Sequence, residues 1–169
     1  VGTLVHRYLQ RISKQGLEKW NQQRIRSLHK AFASALIHLG VPKSELDSAI
    51  SRVDTALSRT LVDERGSWIL SNQHEGDRSE YSISAVHKEK VVNIIIDRTF
   101  IDSEGTRWII DYKTGVHSGS DMDAFLDREQ ERYRGQLDRY AEIFAKIEER
   151  PIKLGLYFPM VSGWRSWDA

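Results

Sequence analysis

The chain has 169 residues, 40% of them apolar and 29% charged, enough for one ordinary domain with a buried core. The 25 Lys and Arg against 24 Asp and Glu leave a formal net charge of +1, so no global positive field marks a strong non-specific nucleic-acid binder, and any such contact must be local. The absence of cysteine excludes disulfides, thiolate zinc sites and cysteine-ligated iron–sulfur clusters; no apolar run approaches the ~20 residues of a membrane span, and residues 1–16 are too charged for a signal peptide.

These features predict a soluble protein with no membrane partner. The chain starts on Val1 with a helical pattern under way by Leu4, as expected of a domain excised from a longer polypeptide. Leu4, Val5, Tyr8, Leu9 and Ile12 recur at helical spacing, with His6 on the same helix and Gly16 as its stop. A second helix is predicted through Trp20, Ile25, Leu28, Phe32, Leu36 and Leu39, closed by Gly40 with Pro42 beyond. A third opens at Ser44, with Asp47 three residues on, and carries Leu46, Ile50, Val53, Leu57 and Leu61. Residues 1–62 thus form a helical segment.

After a turn at Asp63-Glu64-Arg65-Gly66 the pattern shifts to β-rich runs at Trp68–Leu70, Glu80–Val86, Val91–Ile101 and Thr106–Tyr112, expected to form a largely meandering sheet. Gly115–Asp123 reads as a loop. Phe125, Leu126, Tyr133, Leu137, Tyr140, Phe144 and Ile147 then mark a long amphipathic helix over 122–149, ended by Pro151. Ile152–Phe158 is a final strand, followed by a short tail with Trp164 and Trp167. The expected fold is α/β, one domain over 1–169, with a central mixed sheet in 63–169 flanked by helices.

Asp111 and Lys113 stand two apart on a predicted strand and so share a face, with Tyr112 on the other. Taken alone, this spacing usually describes a solvated cross-strand salt bridge. The loop Ser103-Glu104-Gly105, with Gly at the left-handed position, predicts a hairpin that pairs Asp102 with Thr106 and sets Asp97 opposite Asp111. Directly opposed carboxylates lie about 5 Å apart and repel unless a cation sits between them or one is protonated. Asp97 also ends the apolar run Val91-Val92-Asn93-Ile94-Ile95-Ile96, where a carboxylate needs a partner.

Gly2-x-x-x-His6, then Ile96-Asp97-Arg98, then Ile110-Asp111-Tyr112-Lys113-Thr114-Gly115, then Tyr133-x-x-Gln136-Leu137-x-x-Tyr140, resembles the PD-(D/E)XK nuclease superfamily in order and spacing. Within it the likeness is to the RecB/AddA-type nuclease domain of UvrD-like helicases. The resemblance implies a restriction-endonuclease-like core in which His6, Asp97 and Asp111 bind Mg²⁺ or Mn²⁺ and Lys113 orients the attacking water. It implies that Gln136 and Tyr140, on one helix face, support the site or touch DNA. Glu80 matches an acidic residue found upstream of the metal-binding Asp. One departure is Ile94 and Ile95 where such relatives carry a Gly before the strand Asp.

Carboxylate oxygens suit Mg²⁺ or Mn²⁺, an imidazole adds tolerance for Mn²⁺, and a lysine beside the nucleophile stabilises developing charge. The implied activity is hydrolysis of DNA phosphodiesters, on single strands delivered by a helicase domain of the same polypeptide, with a partner subunit, in double-strand-break repair and recombination. The implied setting is the bacterial cytoplasm, at the nucleoid. Two alternatives stay open: a non-catalytic nuclease-like DNA-binding or subunit-docking module, and a metal-dependent enzyme acting on another substrate.

Other residues read more simply. Arg128, Arg132, Arg134 and Arg139 alternate with Asp127, Glu129, Glu131 and Asp138 as on a solvated helix face. The five tryptophans read as core or edge residues, although Trp164 and Trp167 beside Arg165 could meet single-stranded DNA. His29, His38, His74, His87 and His117 have no ligand spacing.

Overall fold

The computed structural model describes residues 1–87, 89–117 and 119–169, without the His87 side chain. Ser118 of the predicted 115–123 loop therefore lies outside the described residues, as does the His87 side chain. The rest falls into two compact units. The first comprises Val1–Asn72, Lys113–Val116 and Phe158–Gly163; the second comprises Gln73–Tyr112, His117–Tyr157 and Trp164–Ala169.

The first unit is helical. Helix α1 (Gly2–Gln15) buries Leu4, Val5, Leu9 and Ile12 and stops where Gly16 takes a φ of 92°. The predicted second helix is broken at Leu28 into α2 (Gln22–Ser27), capped by the Asn21 side chain, and α3 (His29–His38). Ser44 lies in a single 3-10 turn that leads into α4 (Leu46–Val62), whose Val53, Ala56 and Leu57 are buried. Helices α1, α2 and α3 each pack on α4.

Trp68–Leu70 departs from expectation. It belongs to α5 (Glu64–Leu70), not to a strand, because the Asp63 carboxylate accepts the Gly66 N–H at 2.8 Å and starts a helix where a turn was predicted. The helical segment thus reaches residue 70.

The strands β1 (Glu75–His87), β2 (Lys90–Ile101), β3 (Arg107–Tyr112), β4 (Ile152–Phe158) and β5 (Gly163–Asp168), which belong to the second unit except for Phe158 and Gly163, form a mixed sheet in that order. The pairs β1/β2 and β2/β3 are antiparallel, and β3/β4 is parallel. Helix α6 (Met122–Phe144) makes the crossover that a parallel pair requires and packs against β3, while single turns carry the chain from Phe144 to Ile147. The strand β4 has its predicted bounds. The Trp164/Trp167 tail is instead a fifth strand: Trp164 covers Gly155 of β4, where a Cβ would overlap its ring, and the Trp167 Nε1–H donates to Asp138 at 3.0 Å. Among the described residues no helix is long and apolar enough to cross a membrane.

The turn from β2 to β3 is fixed by one side chain. The Asp102 Oδ1 accepts the N–H groups of Glu104 and Thr106 at 2.9 and 3.0 Å, and its Oδ2 accepts the Trp108 indole N–H at 2.8 Å. Burial pushes this carboxyl up, but the donors and Lys153 outweigh it and hold its pKa below the ordinary value. Gly105, at φ 80°, takes the left-handed position, and Asp102 pairs with Thr106 as predicted.

Near the opposite end of α6, Arg107 of β3 donates to Glu148 through Nε at 2.5 Å and Nη2 at 3.0 Å, a bidentate pair with little exposure. That hydrogen bond, against a smaller cost of burial, holds the Glu148 carboxyl below its ordinary 4.5. A depressed carboxyl stabilises the fold above its unfolded pKa, and the contribution fades as pH falls through the folded value. Glu148→Gln should therefore cost about 1.5 to 3 kcal/mol near neutrality and flatten the acid limb of stability below pH 4.5, measured by urea unfolding across pH.

Candidate active site

The hairpin register places the acidic residues. Arg98 pairs with Ile110, and the next step of that register brings Asp97 opposite Asp111. On the other side of β2, Ser79 pairs with Arg98 and Tyr81 with Ile96, which brackets Glu80 opposite Asp97. Three neighbouring strands therefore carry a carboxylate at one level: Glu80 on β1, Asp97 on β2 and Asp111 on β3. Carboxylate oxygens of Glu80 and Asp97 approach within 4.8 Å.

Asp97 and Asp111 are only 9% and 7% exposed, in a neighbourhood where an uncompensated negative charge is costly. One Asp97 oxygen is engaged: Oδ2 accepts the Tyr112 N–H at 2.8 Å. In a continued antiparallel ladder that N–H would meet a β2 carbonyl near Ile96. The carboxylate takes its place where the β2/β3 pairing ends. Glu80 is exposed and holds a φ of 51°, a left-handed conformation that costs a non-glycine residue of order 1 kcal/mol and tends to mark functional sites.

Beside the acidic row the strands are tied by a buried cation. Arg98 is fully buried, points to the opposite face from Asp97, and donates to Asp77 at 2.7 Å and to the Ser79 hydroxyl at 3.2 Å. Burial drives the Tyr112 hydroxyl far above the usual tyrosine range, outweighing Arg98, so it stays protonated at any working pH.

Lys113 lies one residue beyond the end of β3, not on the strand as predicted, and is half-buried. Strand ends shift by a residue or two as pairing gives out, and here β3's last partner is Tyr157. His6 sits half-buried on α1 in the first unit. The same unit contains Lys113–Val116, and a Cβ added to Gly2 would stand 2.8 Å from the Thr114 Oγ1. The glycine of Gly2-x-x-x-His6 thus lets the helix carrying His6 approach the residue that follows Lys113. On α6 the Gln136 Nε2 donates to the Tyr140 hydroxyl at 2.7 Å, so these two predicted residues are joined, one turn apart.

The structure also shows what sequence reasoning passed over. Asp102 organises the hairpin, and its acidic residue two and four positions before backbone N–H groups is a recognisable turn signature. The left-handed backbone of Glu80 has no local signal. The simpler histidine readings agree with their contacts: His29 meets Asp54 at 2.6 Å, and His74 stacks on Phe100. Trp164 packs within the sheet on Gly155 and Trp108, and Trp167 meets Asp138 and Arg134 of α6.

Three carboxylates on one level fit a hard divalent cation by the chemistry of their donors: oxygen ligands, concentrated negative charge and, at Asp97 and Asp111, burial that leaves the charge in need of compensation. Members of the matching family use such cations. A model of the PD-(D/E)XK nuclease superfamily matches residues 1–163. No curated protein matches the chain.

The crowded charges make a specific prediction. Asp97→Asn keeps an oxygen for the Tyr112 N–H but removes one of three mutually repelling charges. Without divalent ions the variant should melt at or above the wild-type temperature. Millimolar Mn²⁺ should raise the wild-type melting temperature by several degrees, as about 3 kcal/mol of ligand linkage would, and leave the variant nearly unmoved. Equal Mn²⁺ responses in scanning calorimetry would remove the acidic row from consideration as the cation site.

Proposed function

Since the chain belongs to the PD-(D/E)XK nuclease superfamily, we propose that it is a divalent-metal-dependent deoxyribonuclease acting at Asp97, Asp111 and Lys113. The observation that carries this reading is the alignment of Glu80, Asp97 and Asp111 across three adjacent strands. A salt-bridged surface would place cations opposite these carboxylates; the register places carboxylates opposite one another.

In this reading Asp97 and Asp111 hold the cation, Mg²⁺ or Mn²⁺, with Glu80 beside them and His6 as a further ligand on the strength of the motif that contains it. A divalent cation held there would neutralise charge at the scissile phosphate and lower the pKa of a water bound to it. Lys113, two residues after Asp111, orients that water and adds positive charge as the transition state forms. The Asp97 carboxylate is pre-positioned by the Tyr112 N–H, so no reorganisation is needed when substrate arrives. Gln136 and Tyr140, held by their mutual hydrogen bond, support the site or contact DNA.

We further propose a RecB/AddA-type domain spanning residues 1–169, fed with single-stranded DNA by a helicase domain of the same polypeptide in break repair and recombination, with a partner subunit, at the bacterial nucleoid. The ordered motifs from Gly2 to Tyr140 support the subfamily. The formal net charge of +1 supports delivery by a motor, since such a domain need not grip DNA tightly by itself.

Labelled linear and circular single-stranded DNA incubated with Mg²⁺ or Mn²⁺ tests the reading. Asp111→Ala should lose at least about a thousandfold in rate, ~4 kcal/mol of transition-state stabilisation, and Lys113→Met about a hundredfold or more. Degradation by the wild type and by Asp111→Ala at equal rates would refute it. DNA binding with no cleavage by any form would instead favour the docking module.

A further inference from the structure

The β1–β2 hairpin continues well past the acidic row. Tyr81–His87 pair with Lys90–Ile96, whereas the pairing of β2 with β3 begins only at Arg98. The hairpin is therefore a two-stranded arm, reaching about 20 Å from Asp97 to Val91 at the usual rise of a strand. Its two faces differ. One, with Ile83, Ile94 and Ile96, is buried, and Tyr81 on it lies 6.3 Å from the Phe144 ring at the end of α6. The other carries the cross-strand pairs Ser82 with Ile95, Ser84 with Asn93, and Val86 with Val91.

That second face is open to solvent. Val91 is 74% exposed, Val86 61% and Ile95 55%, and the Ser84 hydroxyl donates to the Asn93 side-chain Oδ1 at 2.6 Å. Because side chains alternate along a strand, Val91, Asn93 and Ile95 share the face of Asp97, and Ser82, Ser84 and Val86 share the register side of Glu80. The apolar strip and the acidic row are thus one continuous surface.

We propose that this face of the arm is the track along which single-stranded DNA lies as its phosphate reaches Asp97 and Asp111, an inference that rests on the nuclease reading above. Continuity with the acidic row supplies the first argument, because a strand leaving the row along β1 and β2 has this surface beneath it. Charge supplies the second. Among the described residues the face, made of Ser82, Ser84, Val86, Val91, Asn93 and Ile95, carries no carboxylate beyond the row, so nothing on it repels the phosphates of a strand. Contact chemistry supplies the third. Aliphatic side chains and short hydroxyl and amide groups offer van der Waals and polar contact to sugars and bases without reading an edge, which suits a strand of any sequence.

The test uses the full chain with Ca²⁺ in place of Mg²⁺, and a fluorescent oligothymidylate of about ten nucleotides followed by anisotropy. Val91→Glu and Ile95→Glu should each weaken binding about tenfold, and Val91→Lys should bind at least as tightly as wild type. Val62→Glu, at 86% exposure and outside the arm, should leave affinity unchanged. Unchanged affinity in Val91→Glu and Ile95→Glu overturns the proposal. So does a wild-type dimer that either substitution dissociates in size-exclusion chromatography without altering DNA affinity, which would make the face a contact between copies. Hydrolysis of bis(p-nitrophenyl) phosphate by the wild type with Mn²⁺ reads the nuclease assignment separately, so failure of that assignment and failure of the track are distinguishable.

Discussion

Three N–H groups converge on the Asp102 carboxylate: two from its own turn and one from the Trp108 indole in the returning strand. The site depends on that convergence. It locks the β2/β3 hairpin in the register that sets Asp97 opposite Asp111, and a slip of one residue would send one of the two carboxylates to the other face of the sheet. Within the acidic row the Tyr112 N–H bond to Asp97 favours this register. Two opposed carboxylates resist it, so the turn and the buried pairs Phe100 with Trp108 and Thr99 with Ile109 must hold it against their repulsion.

The same logic extends across β1. The Arg98–Asp77 pair compensates a fully buried guanidinium next to Asp97 in sequence, and it joins β1 to β2 close to the level of Glu80. Glu80 itself accepts a left-handed backbone. The fold thus spends stability at one level of the sheet on repulsion and strain, and recovers it from the hydrophobic faces, the Arg107–Glu148 pair and the packing of α6 on β3. Such an arrangement makes chemical sense when a cation completes it, and membership of a nuclease superfamily supplies the reason for one.

Much of this was legible from residue order. The Gly105 turn and its register followed from the need for a left-handed position three residues past Asp102, and the bounds of β4 followed from the apolar residues Ile152, Leu154, Leu156, Tyr157 and Phe158 behind Pro151. Trp68–Leu70 misled because a short apolar run carries no period of its own; the Asp63 cap, five residues upstream of Trp68, decided for helix. Trp164 and Trp167 stand three apart, on opposite faces of a strand, so no alternation marks it, and the strand is recognisable only once Gly155 is seen to lie under a ring. The backbone of Glu80 and the burial of Arg98 are set by tertiary contacts and leave no local trace.

The central claim is that the row Glu80, Asp97, Asp111 holds the divalent cation, and localised cleavage of the chain tests it most directly. Fe²⁺ substituted for Mg²⁺, with ascorbate and peroxide, generates radicals that cut the backbone beside the ion, and the fragments can be read by mass spectrometry. The account predicts cuts clustered at Glu80, Asp97 and Asp111 that excess Mg²⁺ suppresses. Cuts concentrated elsewhere, or a pattern indifferent to Mg²⁺, would contradict it.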